Sequence, residues 1–441
     1  MGNNSKNLKV DTELTRFLFK GTLGSFLIKI ITGFLTLTTS VVLARTLGPK
    51  EYGLYSYAIT VAAFLTIFAT FGLPDFLTRQ VSIYQTNGDF LYVKRLFRWS
   101  FIVVLIGTTI LFSVPFIISF LNVPLPDSLS FELFVFALVA VPLMSLLAVL
   151  SSVLRGLKLV LLAQMANGII RPLVLLILVI VLFLIFEGGA NAKTAIVCQL
   201  ISLLIAFVVC FFFVINATKE KNTNNCNLGD KRWLLDLLPF FLIGLLQIIN
   251  SRVDILVLGF FRESTSVGNY QVSLRLAELV SFILISVNGV FAPVVAELKT
   301  KNDLVMLQKM VTKSVRWVTC LALPLCLALF VFSTEILEFL FGSEYVAGDN
   351  ALRIFVVGQF VNCLMGSVAL LLNMSGHQSD TLRVTGLSAI INISLSLLLV
   401  PMYGINGAAI ASVVSLVVWN VLLSFLATMR LGIHTTPLGK V

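Results

Sequence analysis

Charge is what this chain has least of. Only 12% of its 441 residues are Asp, Glu, Lys or Arg, about half of the roughly 25% found in soluble domains. Residues 99–126, 133–154, 194–218 and 384–429 form runs with no charged side chain. A soluble globular domain is excluded on that ground. Histidine is scarce too. The two present, His377 and His434, fall in segments expected outside the membrane, so no imidazole relay crosses it. The six cysteines (Cys198, Cys210, Cys226, Cys320, Cys326, Cys363) form no C-x-x-C pair. They read as small apolar packing residues rather than a disulfide framework or thiolate metal site. No G-x4-G-K-[ST] loop is present to cradle ATP phosphates, and no H-E-x-x-H or G-x-S-x-G motif marks a zinc protease or a serine hydrolase. The reading is therefore not an enzyme, with no cofactor. Residues 1–16 are polar and lack the short apolar core of a secretory signal.

What is abundant is apolar length. Hydrophobic residues make up 58% of the chain, and mean hydropathy is +1.01. A membrane-spanning helix needs about 20 apolar residues. Twelve such stretches are expected, at about 21–44, 54–76, 99–121, 131–153, 160–186, 194–215, 237–261, 268–294, 316–333, 351–374, 384–400 and 405–428. The fold class is all-α integral membrane. A β-barrel is excluded, because the runs are too long and do not alternate. With the N-terminus inside, the cytoplasmic segments hold 22 Lys and Arg and the outer loops only Arg45, Lys50, Lys193 and Arg262. That asymmetry is the positive-inside signature, and it places both termini in the cytoplasm. The segment 333–350, with four acids and no base, fits the outer side. The net charge of +10 then faces anionic lipid and implies no nucleic acid.

The chain repeats itself once. Leu43 precedes Gly53-Leu-Tyr55, and Leu258 precedes Gly268-Asn-Tyr270, at an offset of 215 residues. Ala195-Ile196 and Ala409-Ile410 match at an offset of 214. Six spans per half mean that both halves enter the membrane the same way, as parallel repeats about an axis along the membrane normal. The expected organisation is an N-terminal lobe (1–216), a polar cytoplasmic linker (217–232) and a C-terminal lobe (233–441), around a central cavity.

Seven ionisable residues fall at membrane depth: Lys29, Arg171, Arg252, Asp254, Arg275, Glu278 and Arg353. Each opposes insertion by roughly 2.5–3.5 kcal/mol, so such groups face a cavity or a partner. Five bases against two acids suggest a route for something anionic. Ser25, Lys29, Thr32, Thr36 and Ser40 share one face of span 1. The alternative for Lys29 is to snorkel to the inner headgroups. On span 7, Gln247, Asn250, Ser251 and Asp254 share a face and Arg252 falls on another side. On span 8, Arg275 and Glu278 are three apart and can pair. These charges either meet substrate or form a network that fixes helix packing. Arg171, beside the helix-perturbing Pro172 and far from either interface, is the preferred phosphate contact, because a guanidinium fork matches phosphate oxygens. Arg353 opens span 10 near the outer surface, where an interfacial role competes with a cavity role. Asp254 and Glu278 stand as ion-coupling or structural acids.

The stretch Leu43-Ala-Arg-Thr-Leu-Gly-Pro-Lys-Glu-Tyr-Gly-Leu-Tyr-Ser-Tyr57 resembles the first-hairpin signature of bacterial polysaccharide flippases of the O-antigen (Wzx) type. Gly72-Leu-Pro74, Arg252-Val-Asp-Ile-Leu-Val-Leu-Gly259, Val267-Gly-Asn-Tyr270, Ala292-Pro293 and Tyr403-Gly-Ile-Asn-Gly-Ala-Ala-Ile-Ala411 are similar to later segments of that family. These flippases belong to the multidrug/oligosaccharidyl-lipid/polysaccharide exporter superfamily. The resemblance implies transport of an undecaprenyl-pyrophosphate-linked glycan across the bacterial cytoplasmic (inner) membrane by alternating access. The glycan would be an O-antigen, capsule or exopolysaccharide repeat unit. It implies membrane lipids, a glycan polymerase and chain-length proteins as partners. The rival readings are a cation-coupled drug exporter of the same superfamily and a membrane-embedded glycan polymerase or transferase. The excess of buried bases weighs against the first, and the short loops weigh against the second.

Overall fold

The computed structural model describes residues 2–120, 130–185, 191–219, 233–300, 303–437 and 439. Every regular element among them is helical. Ten helical segments are long and apolar enough to cross a bilayer: Gly24–Thr70, Phe90–Phe112, Phe131–Gly156, Val160–Leu182, Ala192–Thr218, Leu238–Phe261, Ser264–Asn288, Leu304–Val331, Ser343–Met374 and Gln378–Leu431. The first and last are hairpins, so the crossings number twelve. Gly48 (φ 71°) breaks the first, and Gly404 (φ 55°) breaks the last. Only glycine takes such φ values without strain. The side chains prove the reversal. Ser40 and Tyr52 hydroxyls lie 2.6 Å apart, whereas twelve residues of straight helix would separate them by about 18 Å. Trp419 Nε1 donates to Thr385 Oγ1 at 3.1 Å across the last hairpin. Spans 1 and 2 are therefore 24–47 and 49–70, spans 3 to 10 are the eight intermediate segments in order, and spans 11 and 12 are 378–403 and 405–431.

Several helix ends differ from the sequence expectation. Span 2 stops at Thr70, because Phe71 and Gly72 both take positive φ (46° and 80°). Leu73–Asn87 is a separate helix that buries Leu73, Phe76, Leu77 and Val81 on one side. Span 3 starts at Phe90 rather than near 99. Lys94, Arg95 and Arg98 end the apolar run but not the helix, since a helix continues into headgroups and water at no backbone cost. Span 10 breaks at Gly366 (φ 72°) before Val368–Met374. The expected linker lies outside the described residues from 220 onward.

The first six spans pack on one another, as do the last six, and the two lobes meet chiefly along spans 1 and 2 against span 8. Equivalent glycines of the two halves come together at this contact. A Cβ on Gly53 would overlap the carbonyl of Ser264, and one on Gly268 would overlap the carbonyl of Pro49. Around this crossing, Tyr345 donates to the Ala44 carbonyl (2.8 Å). Arg45 donates to the carbonyls of Phe339 and Leu340, at the end of the short helix Ser333–Phe341. This end of the bundle is closed backbone to backbone. At the basic end the lobes meet as well: a Cβ on Gly72 would overlap the backbone of Phe240 and Phe241, Phe71 stacks on Phe241 (4.6 Å) and Trp99 meets Trp233 edge-on (5.4 Å).

Candidate substrate cavity

Span 5 carries the first functional cation, and its local fold follows from Pro172. Proline has no N–H to donate, and its ring crowds the carbonyl four residues earlier. The helix responds with one π turn, Ala166–Ile170, immediately before Arg171. Such turns recur at functional sites. Gly168 in that turn lies against Thr32 of span 1, where a Cβ would overlap the threonine hydroxyl. Arg171 thus leaves a helix that is locally widened and pressed against span 1. Its Nη2 and Nε donate to the Gln199 amide oxygen at 2.9 and 3.0 Å, and the Gln199 nitrogen donates to Tyr55 Oη at 2.9 Å. This amide orientation is assigned because it alone gives the oxygen donors and the nitrogen an acceptor.

Arg171 faces a cavity of about 310 Å³ between the first lobe and spans 7 and 8. Arg252 of span 7 and Arg275 of span 8 line the same cavity, with hydroxyls and amides from spans 1, 2, 5 and 6, and no acidic side chain. Arg275 Nη1 pairs with Glu278 Oε2 at 2.8 Å. Arg252 has no ion-pair partner among the described residues. Gln271 is buried in the wall, and its Oε1 accepts no hydrogen bond.

A second cavity, about 470 Å³, lies within the second lobe. Asp254 and Glu278 line it, and no base does. Asp254 is 2% exposed. It accepts from the Tyr270 hydroxyl in a close contact and from the Ile255 N–H at 2.9 Å. Tyr270 and Tyr55 are equivalent in the repeat, and each turns its hydroxyl into the polar centre of its own lobe. Spans 7 and 8 therefore form a partition with a basic face (Arg252, Arg275) and an acidic face (Asp254, Glu278).

The structure thus brings together Arg171, Arg252 and Arg275. It sets Asp254 and Glu278 in the neighbouring chamber and leaves two sequence candidates apart. Lys29 is half-buried on the face of span 1 that carries Thr36 and Ser40, but only the latter two reach the cavity wall. Arg353 donates to Ser333 Oγ (2.8 Å) and pairs with Asp349 (3.4 Å), away from both cavities. Gln271 belongs to the polar face that the sequence places on span 8 with Arg275, Glu278 and Ser281, whereas Gln199 and Tyr55 were not singled out by sequence reasoning. Only Tyr55 carried a signal, through the repeated Gly-x-Tyr.

Residues 18–299 match the family model for polysaccharide biosynthesis proteins, nearly two thirds of the chain. The chain belongs to that family. The MatE model matches residues 239–398. Among relatives of the polysaccharide biosynthesis family chain, a Shigella flexneri protein assigned as an O-antigen transporter is 22% identical over 400 residues, 89% of this chain and 93% of that one. A Haloferax volcanii protein assigned as a low-salt glycan biosynthesis flippase, Agl15, is 28% identical over 175 residues, 39% of this chain. That match spans only 36% of the archaeal protein's length. The fold is shared with an inward-facing multidrug resistance MATE family transporter of the MOP superfamily, at a TM-score of 0.72 and 15% identity, covering 91% of this chain and 94% of that one. This family member is a multi-pass membrane protein that shares its fold with transporters of the MOP superfamily.

Proposed function

We propose that the protein flips a polyprenyl-pyrophosphate-linked oligosaccharide from the inner to the outer leaflet of a bacterial cytoplasmic membrane by alternating access. The observation that carries this reading is the convergence of Arg171, Arg252 and Arg275 on one acid-free cavity at membrane depth. A pyrophosphate is anionic and rich in acceptors, and guanidinium forks match its oxygens in charge and in shape. The lipid tail stays in the bilayer while the polar head crosses between the lobes. The head enters when the lobes part at the basic end, and separation of the lobes at the Gly53–Gly268 contact, the gate of the opposite end, releases it on the other side. Both termini are cytoplasmic in this reading, and the chain divides at the 217–232 linker. The glycan polymerase and chain-length proteins of the same pathway act downstream.

The test is Arg171→Ala with Arg275→Ala. Surface glycan is expected to be lost while the protein still inserts, and Lys at either position restores only part of it, because an ammonium lacks the planar fork. Normal surface glycan from the double variant overturns the reading. A second reading is favoured by the acidic cavity and the MatE match: a cation-coupled exporter of cationic small molecules. It requires efflux of a cationic dye from vesicles driven by a Na⁺ or H⁺ gradient. The flippase reading expects no such efflux.

A further inference from the structure

The amide of Gln199 fixes two neighbours at once. Its oxygen accepts from Nε and Nη2 of Arg171 at 3.0 and 2.9 Å. The other edge of the guanidinium, Nη1 with the second Nη2 N–H, has no partner among the described residues, and Arg171 lines the cationic cavity. Gln199 is 1% exposed and neutral. It therefore holds the guanidinium in place without compensating its charge, whereas Glu278 compensates Arg275. At the opposite end of the same amide, the Gln199 nitrogen donates to Tyr55 Oη at 2.9 Å. An amide nitrogen accepts nothing, so Tyr55 keeps its own proton. No other acceptor for that proton is found among the described residues, and Tyr55 lines the same cavity. The repeat supplies the contrast. Tyr270, the equivalent phenol of the second lobe, donates its proton to the Asp254 carboxylate. A carboxylate only accepts, whereas a carboxamide can turn its donor toward a phenol. The two lobes thus hold the same phenol in opposite hydrogen-bond states, and the one beside the cationic cavity has a proton to offer.

We propose that Arg171 and Tyr55 form one phosphoryl subsite, with Gln199 as the positioning residue that presents both. The inference deepens the function proposed above and rests on it. Ionised phosphoryl oxygens only accept hydrogen bonds, so a free guanidinium edge and a free phenolic O–H are matched to them. One amide touches both groups, so their spacing is set before the anion arrives and less ordering is needed on binding. The same geometry explains why position 199 suits glutamine and not glutamate. A carboxylate there would pair with Arg171 and cancel its charge. It would also draw the Tyr55 proton to itself, as Asp254 does with Tyr270.

The test uses the purified full-length protein in nanodiscs, titrated with farnesyl pyrophosphate at fixed ionic strength, with thermal unfolding as the report on folding. Gln199→Glu keeps the shape of the side chain and its contacts to Arg171, so its unfolding temperature should stay close to that of wild type. Its affinity for the probe should nevertheless fall by about tenfold or more, since one cation is cancelled and one donor withdrawn. Tyr55→Phe should weaken the probe by about tenfold, the size of one hydrogen bond to a charged group. In the Gln199→Glu background the Tyr55→Phe change should cost less than about twofold, because the proton is already engaged there. A purely structural tie between spans 2, 5 and 6 predicts wild-type affinity in Gln199→Glu, and that result overturns the subsite. Wild-type affinity in Tyr55→Phe overturns it too, as does an undiminished Tyr55→Phe loss in the Gln199→Glu background. The parent reading fails by a different result, an Arg171→Ala variant with unchanged affinity for the probe. Loss in Arg171→Ala with wild-type affinity in the other two variants keeps the parent reading and overturns this one.

Discussion

Gly53→Ala should open the closed end of the bundle without unfolding either lobe. A Cβ at this position meets the Ser264 carbonyl, with the Ser264 carbonyl carbon at 2.7 Å and the Gly268 nitrogen at 2.9 Å. All three are backbone atoms of the opposite lobe, so no side-chain rotation can relieve the overlap. Within its own helix the substitution is favourable by roughly 0.5–1 kcal/mol, because alanine is the better helix former. The strain therefore falls on the lobe contact alone. Overpacking of this kind costs about 1–3 kcal/mol. At 1.4 kcal/mol per factor of ten, that shifts the closed-to-open ratio by about 5- to 150-fold. Spin labels at Lys50 and Glu263, both exposed beside the contact, would report the change by pulsed electron resonance as a longer distance population. Gly268→Ala should act alike. The double variant should add little, since the two residues strain one contact. An unchanged distance distribution in Gly53→Ala would refute the assignment of this contact as the gate.

Three further outcomes are expected. Exchanging the charges of the Arg275–Glu278 pair (Arg275→Glu with Glu278→Arg) should restore folding but leave glycan export impaired. Full export from the exchanged protein would rule out phosphate contact by Arg275. In liposomes with a clamped potential and no ion gradient, inside-negative potential should accelerate outward flipping. One charge crossing about 100 mV gains roughly 2.3 kcal/mol. Equal rates at zero potential would refute this, and a gradient requirement that vanishes in Asp254→Asn would move the coupling to that acid. Finally, the segments 79–98, 217–232 and 297–316 should be shielded from membrane-impermeant reagents in intact cells, and labelling of any of them would reverse the orientation.

Hydropathy alone gave the twelve spans, because a bilayer tolerates few other ways to satisfy the backbone. It also left a gap for each hairpin, at 45–53, where Arg45, Lys50 and Glu51 end the apolar run, and at the Pro401–Gly407 segment. Helix ends were less legible. Span 3 continues nine residues past the apolar limit at Trp99, because nothing in Leu91–Arg98 opposes helix once the chain has left the hydrocarbon. For the cavity, charge scarcity marked the right class of residue but not its company. Arg171, Arg252 and Arg275 lie on three different spans, and only packing shows that they meet. Arg353, for which the sequence left an interfacial and a cavity role open, is held instead by Asp349 one turn earlier and by Ser333. Gln199 was invisible, because an amide in an apolar run declares its role only through its partners. The separation into a basic and an acidic chamber was likewise hidden. It depends on which faces of spans 7 and 8 turn toward each lobe.

The meeting of Gly53 with Gly268 has a meaning beyond gating. They are the same residue of the repeat, 215 positions apart, touching across the axis that relates the halves. A half-length ancestor pairing with a second copy of itself would have placed one glycine against its own image, in a self-complementary interface. Any side chain added there would have struck its twin, so one mutation would have counted twice. The rest of each half could then specialise, as Arg171 behind Tyr55 and Gln199 and the Asp254 carboxylate behind Tyr270 now show. A position that contacts its own counterpart has no such freedom, because each copy must still leave room for the other.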